Sequence, residues 1–215
     1  MSHPCDDCQC STVSNSKPVD PTIRSEGLIA LVVDAPSGYE ALGRSAFNGA
    51  AGEVLEATIR GVIRATGQVP PADLLDEVAV LHAVARPTPG GKPPKIASVR
   101  ACRERLFQDL VRAKPRMVLS LGAGACAALS GAAAATPITR WRGMMRWLDL
   151  PDGTRVPWVP TISPGSVAAK SSYYRDLSFD TWKAWTQPEP LEQPTIVRLT
   201  EADIPSLPED ESDRA

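Results

Sequence analysis

No apolar run in these 215 residues approaches the length needed to span a bilayer, so the sequence predicts no membrane-crossing helix and no membrane partner. The N-terminus, MSHPCDDCQC, is polar and lacks the apolar stretch of a secretory signal, which leaves the cytoplasm as the expected location. There is no internal repeat. A phosphate-cradling G-x-x-x-x-G-K-[ST] is also missing, which argues against a nucleotide hydrolase or transferase built on such a loop. Cysteine is scarce and uneven: five residues, with Cys5, Cys8 and Cys10 together and Cys102 and Cys126 alone. In a cytosolic chain, C-x-x-C-x-C points to a metal rather than to disulfides.

What is present suits one compact domain. Hydrophobic residues make up 43% of the chain, enough for a core at this length. The formal net charge of −2 conceals an asymmetry, because residues 187–215 carry eight acids and two arginines, a tail of −6 beside a body of +4. That tail is Pro- and acid-rich with little apolar surface to bury, so it is expected to be disordered and either to contact a protein partner or only to solubilise the chain. The expected organisation is a Cys-rich N-terminal segment (1–27) packed on the domain, a folded domain (28–186), and the acidic tail (187–215), in a monomer. A basic body is compatible with nucleic acid.

LIALVVD (28–34) is a continuous apolar, β-branched run, the pattern of a strand covered on both faces. Val54, Leu55, Ile59, Val62 and Ile63 recur at helical spacing over 50–65, and Gly67 ends that helix. EVAVLHAVA (77–85), RMVLSLG (116–122) and VPWVPTI (156–162) read as further strands. Between and after them, KIASVRACRERLFQDLVRA is a basic amphipathic helix, a short Ala-rich helix ends at Gly131, and LSFDTWKAW is the last helix. Such alternation predicts a three-layer α/β/α fold on a parallel four-stranded sheet. Ligands of such sheets collect beyond the carboxyl ends of the strands, here at DAPSG, ARPTPGG, GAGA and SPGS.

DAPSGYEALGRSAFNGAAG resembles the first signature of the iron–sulfur (family-four) uracil-DNA glycosylases. The likeness continues in the same order through ARP, the Cys-containing basic helix, KPRMVLSLGAGA, PITRWRG and VPTISPGS. The resemblance implies base excision, in which the base is turned out of the stack into a closed pocket. It places Asp34 where the family has a Glu that orients water at the sugar C1′, a role worth about 10²–10⁴-fold. Phe47 falls where an aromatic stacks on the extruded base, with Ala35, Pro36, Ser37 and Asn48 beside it. The small residues nearby would let backbone approach the nucleotide. Taken from the residues alone, the plain alternative for Asp34 is a helix or turn cap, and for Phe47 ordinary core packing.

Besides Asp34 for Glu, the chain departs from the family at three places. The family's His-Pro turn becomes Ser163-Pro164, so a neutral hydroxyl replaces the His that donates to the uracil O2. Losing one such donor costs on the order of 3 kcal/mol. The mismatch-directed branch of the superfamily also lacks this His and stays catalytic, though slow. On the second strand, alignment at Arg86-Pro87 puts Leu81 at the family's base-reading Asn, and a one-residue gap puts His82 there. His82 offers a donor and an acceptor, so it could read the base or replace the missing donor; a satisfied buried His is the alternative. Ala85 stands at one cluster cysteine, leaving Cys5, Cys8, Cys102 and, as substitute, Cys10 for a 4Fe-4S cluster, with zinc or no metal as the alternatives. Cys126 reads as a small core residue.

Arg140, Arg142 and Lys170 are the candidates for phosphate contact. Trp141 between the two arginines is expected to pack inward. The loop from Pro164 through Gly165 and Ser166 to Ala169 falls where the superfamily inserts into the gap left by the base, but carries no wedge larger than Val167. Flipping from a duplex would then be weak and single strands the easier substrate. The sequence therefore predicts a DNA glycosylase acting on uracil or another altered base, slow or redirected. Its rival is a degenerate member of the fold that binds DNA or a modified base without excision.

Overall fold

The computed structural model describes residues 17–132, 137–187 and 189–190. Five strands form one sheet: β1 (Ile29–Val33), β2 (Val78–His82), β3 (Met117–Leu121), β4 (Arg146–Asp149) and β5 (Arg155–Thr161), in the order β2-β1-β3-β5-β4. The four expected strands are present and mutually parallel. The expected four-stranded sheet is corrected to five, because β4 adds an antiparallel edge to β5. That strand escapes a search for apolar runs for a physical reason. Only Leu148 of RWLD is buried, while Trp147 and Asp149 are exposed, and the tight turn Leu150–Thr154 that joins it to β5 is polar, Asp152 accepting from the Thr154 N–H at 3.0 Å.

Alternation along the strands divides the core in two. Ala30 and Val32 of β1 face a cluster with Val99, Leu106 and Leu110 of α3 (Ile96–Ala113) and Cys126 and Leu129 of α4 (Ala123–Ser130). Ile29 and Leu31 face the other, with Leu55, Ile59 and Ile63 of α2 (Gly49–Ala65) and Leu177 of α7 (Tyr174–Thr186). Ile29 to Val32 are fully buried, which accounts for the unbroken apolar run. Burying side chains of this size stabilises by about 1.5–3 kcal/mol each.

Three short helices complete the fold: α1 (Gly38–Ala41), α5 (Ile138–Trp141) and α6 (Pro164–Ala169). The stretch expected to be an inserting loop is α6, and Val167 is 3% exposed within the α2-side core, so it is no wedge. At the other edge, the N-terminal segment runs beside β2. The Val19 N–H donates to the Ala85 carbonyl at 2.7 Å, and Thr22 bridges Val80 in antiparallel fashion. Cys5, Cys8, Cys10 and residues 191–215 of the acidic tail lie outside the described residues.

Candidate active site at the carboxyl ends of β1 and β3

The sheet order makes β1 and β3 a switch point: the chain leaves β1 towards β2 on one side and reaches β3 on the other. In a doubly wound sheet, the crevice beyond such a point is where ligands bind. Asp34 directly follows β1 there. Its Oδ1 accepts from the Ala125 N–H at 2.7 Å, at the start of α4. Gly122 and Gly124 make this approach possible. A Cβ at Gly122, whose φ is +115°, would lie 2.4 Å from Asp34 Oδ2, and one at Gly124 would lie 3.0 Å from Oδ1. Pro94, from the ARPTPGGKPP loop, closes on the same spot, 2.9 Å from where a Gly124 Cβ would stand.

Burial raises the Asp34 carboxyl from its ordinary 3.8 to about 6, against the lowering effect of hydrogen bonds from the Ala125 and Gly124 amides. Taking charge out of water costs more than two amide donors return. The cap expected as the plain alternative for Asp34 is therefore real, and it coexists with a carboxylate poised near neutrality. Perturbed acids of this kind cluster at functional sites.

His82 ends β2, in register with Val33, and is 1% exposed. Its Nε2 lies 2.8 Å from Glu40 Oε1, and its carbonyl accepts from Arg105. Glu40 is held in turn by a reciprocal cap of α1. Its Oε2 accepts from the Ser37 N–H at 2.8 Å, and its own N–H donates to Ser37 Oγ at 3.2 Å. Burial works against the Glu40 charge, but the His82 and Ser37 hydrogen bonds outweigh it and hold this carboxyl below its ordinary value. The sequence reading missed Glu40. Its signal was Ser37-x-x-Glu40, a capping-box pattern.

Other expected site residues separate. Phe47 is 8% exposed and packs into the α2-side core, whereas Asp34 turns to α4 on the other side of the sheet. Phe47 and Asn48 line a cavity of about 490 Å³ with Arg44, Arg24 and Arg60, and neither Asp34 nor His82 lines it. The expected sandwich, one pocket holding a base between Phe47 and Asp34, is thus not the arrangement found. The small residues near Phe47 serve local packing instead: a Cβ at Gly52 would lie 2.3 Å from the Phe47 carbonyl carbon. Of the DAPSG turn, Pro36 is buried and Ala35 leans on the α3-side core.

Ser163 caps α6, its Oγ accepting from the Ser166 N–H at 3.2 Å and pairing with Ser166 Oγ at 2.8 Å. Gly165, Ser166, Lys170 and Arg140 are exposed, while Pro164 is buried. Arg142, expected on phosphate, is spent internally. Its Nε and Nη2 donate to Asp180 at 3.1 and 3.2 Å, and it also pairs with Asp176 at 3.2 Å. Trp141 packs 6.1 Å from Trp158 under the Arg146 guanidinium. Cys126 is a buried core residue whose thiol burial pushes up to about 12.

Cys102 is 2% exposed in the α3-side core. Among the described residues no group of three or more potential ligands stands together, so Cys102 is one thiol of the four a cluster needs. No helix among the described residues is long and apolar enough to cross a membrane.

Comparison with known proteins returned no match among curated proteins. The model of the uracil DNA glycosylase superfamily, however, matches residues 26–186, from just before β1 to the end of α7. The parallel sheet, the acid at its switch point and this match over most of the chain make it a member of the uracil DNA glycosylase superfamily.

Proposed function

We propose that the protein is a DNA glycosylase that hydrolyses the N-glycosidic bond of uracil or another altered base, with Asp34 as the acting carboxylate. The observation that carries this is the Asp34 environment, a partly buried acid raised to about 6 and fixed by backbone amides at the switch point. Above that pH it is an anion whose orientation is set before substrate arrives. An anion so placed can orient a water at the sugar C1′ and offset positive charge as the glycosidic bond breaks. Ser163 supplies only a neutral hydroxyl already engaged with α6, so the leaving base gains little stabilisation there and turnover is slow. Arg140 and Lys170 are exposed cations on the same molecule that suit the DNA backbone. A cluster on Cys5, Cys8, Cys10 and Cys102 would be structural in this scheme.

The test is an excision assay on uracil-containing single-stranded oligonucleotides, reading alkali-labile abasic sites. Asp34→Asn is expected to remove most product and Ser163→His to raise it; unchanged cleavage by Asp34→Asn would end the role given to this acid. A second reading, binding without excision, is favoured by one specific observation. Phe47 sits in the core rather than beside Asp34, so that ring would have to move to stack on a base held at this acid. Salt-dependent binding with no abasic product at enzyme excess would select it.

A further inference from the structure

Helix α7 reverses the usual sidedness of a surface helix. Its inward side carries Asp180 and Thr181, 1% and 0% exposed, beside Leu177 and Ala184, while Phe179 and Trp182 stand out at 54% and 43%. An amphipathic helix ordinarily turns its apolar residues to the core. The two exposed rings, three residues apart on one face, stack on each other with centroids 6.1 Å apart and planes 28° from parallel. Apolar residues exposed singly need no explanation, but a stacked pair left in water marks a binding face.

The charge around the pair identifies its occupant. Lys183 Nζ lies 5.6 Å from the centre of the Phe179 ring and donates to the Gly143 carbonyl at 2.7 Å. Arg175, one turn before Phe179, is exposed, and Lys170 sits 5.0 Å over the Tyr173 ring where α7 begins. Both acids of the helix, Asp176 and Asp180, pair with Arg142. The open face is therefore aromatic and cationic. Cations suit phosphates and flat rings suit unpaired bases, the combination that holds single-stranded nucleic acid. A duplex would offer it only a backbone, since its bases stack on one another.

The face also stands at the same end of the sheet as Asp34. Thr161 Oγ1 donates to Asp180, the neighbour of Phe179 in the chain. Thr161 lies in one row with Leu121 of β3 and Val33 of β1, the residue before Asp34. Two strand spacings, about 10 Å, separate β1 from β5. We infer that Phe179 and Trp182 form a stacking platform for single-stranded DNA, holding unpaired nucleotides that flank the one presented to Asp34. The inference rests on the DNA reading proposed above and adds to it a second contact, outside the crevice, that requires unpaired bases.

The test titrates the full chain into a fluorescently labelled thymidine oligonucleotide that carries no uracil, read by anisotropy. Phe179→Ala and Trp182→Ala are each expected to weaken binding about tenfold, the worth of one stacked base. Trp182→Phe keeps a ring and should stand closer to the parent. Annealing the oligonucleotide to its complement should abolish the difference between parent and variants. Trp147→Ala, which removes a similarly exposed ring from β4, should bind as the parent does. Parent-like affinity in both α7 alanine variants overturns the inference and leaves the face to a protein partner; an equal loss in Trp147→Ala overturns it as well. Should the alanine variants fail to fold, ultraviolet cross-linking of the same oligonucleotide to the parent protein decides. Adducts are then expected on α7, and adducts confined to other elements overturn the inference. Abasic product from uracil-containing strands with ring-independent binding sinks this inference and leaves the proposed glycosylase standing; ring-dependent binding without abasic product does the reverse.

Discussion

Asp34 and Asp180 are both acids withdrawn from water, and their surroundings could hardly differ more. Asp180, on α7, is 1% exposed and fully engaged: Thr161 Oγ1 donates to it at 2.7 Å and Arg142 pairs with both its oxygens. Asp34 has no ion pair among the described residues and is held by backbone amides alone. Burial pushes both carboxyls above their ordinary values, in Asp180 despite the Thr161 hydroxyl and Arg142. The difference lies in what a substitution would expose. Removing Asp180 takes from Arg142 its buried partner and leaves it the more exposed Asp176, which loosens the tie between the α5 turn and α7. Removing the Asp34 charge relieves a cost. An acid held in a costly state by backbone amides alone, at the crevice proposed to take the base, is what a working site requires and a structural ion pair does not.

The largest effect should come from Asp34→Asn, a drop in excision of about 10²–10⁴-fold. The variant should at the same time be more resistant to urea at neutral pH, since the amide keeps an acceptor for Ala125 without the buried charge. Loss of both activity and stability would make Asp34 a structural acid like Asp180. Next, Asp180→Ala should destabilise by about 3–5 kcal/mol in chemical denaturation, because Arg142 keeps a charge with no buried partner. A change below about 1 kcal/mol would remove the distinction between the two acids.

Their pH behaviour sharpens the contrast. The folded carboxyl of Asp34 titrates near 6 against 3.8 ordinarily, so the folded state binds the extra proton in that window. The stability it contributes is complete below the unfolded value and lost as pH rises through about 6. Relative to Asp34→Asn, the parent protein should lose about 3 kcal/mol between roughly pH 4 and pH 7. Excision should climb over the same interval as the anion forms, and a rate flat across it would contradict the proposed role. The smallest effect is expected at the exposed cations: Lys170→Ala should lower the salt slope of DNA binding by about one and leave base preference alone.

How legible was all this in the chain? β1 was plain because a strand buried on both faces must be apolar at every position, and Ile29 to Val32 are. The strand β4 was hidden because it buries Leu148 alone, so no apolar run marks it. Asp34 stands out by its place after an apolar run, and the helix or turn cap expected as its plain alternative has its partner, Ala125 of α4, 91 residues away. Glu40 was passed over, although its capping-box spacing is written in the sequence, since its partner His82 lies 42 residues away. Arg142 misled for the same reason. Between Trp141 and Gly143 it looks like a surface cation, and only the approach of α7 gives it Asp180.

What the sequence determined by itself was the alternation of strands and helices, the family signature and the acid at the end of β1, because periodicity and local spacing act over a few residues. Which face each side chain took was decided only when distant elements met. Burial, and with it the charge state of Asp34, the pairing of His82 with Glu40 and the withdrawal of Phe47 into the core, depends on neighbours that no local pattern encodes.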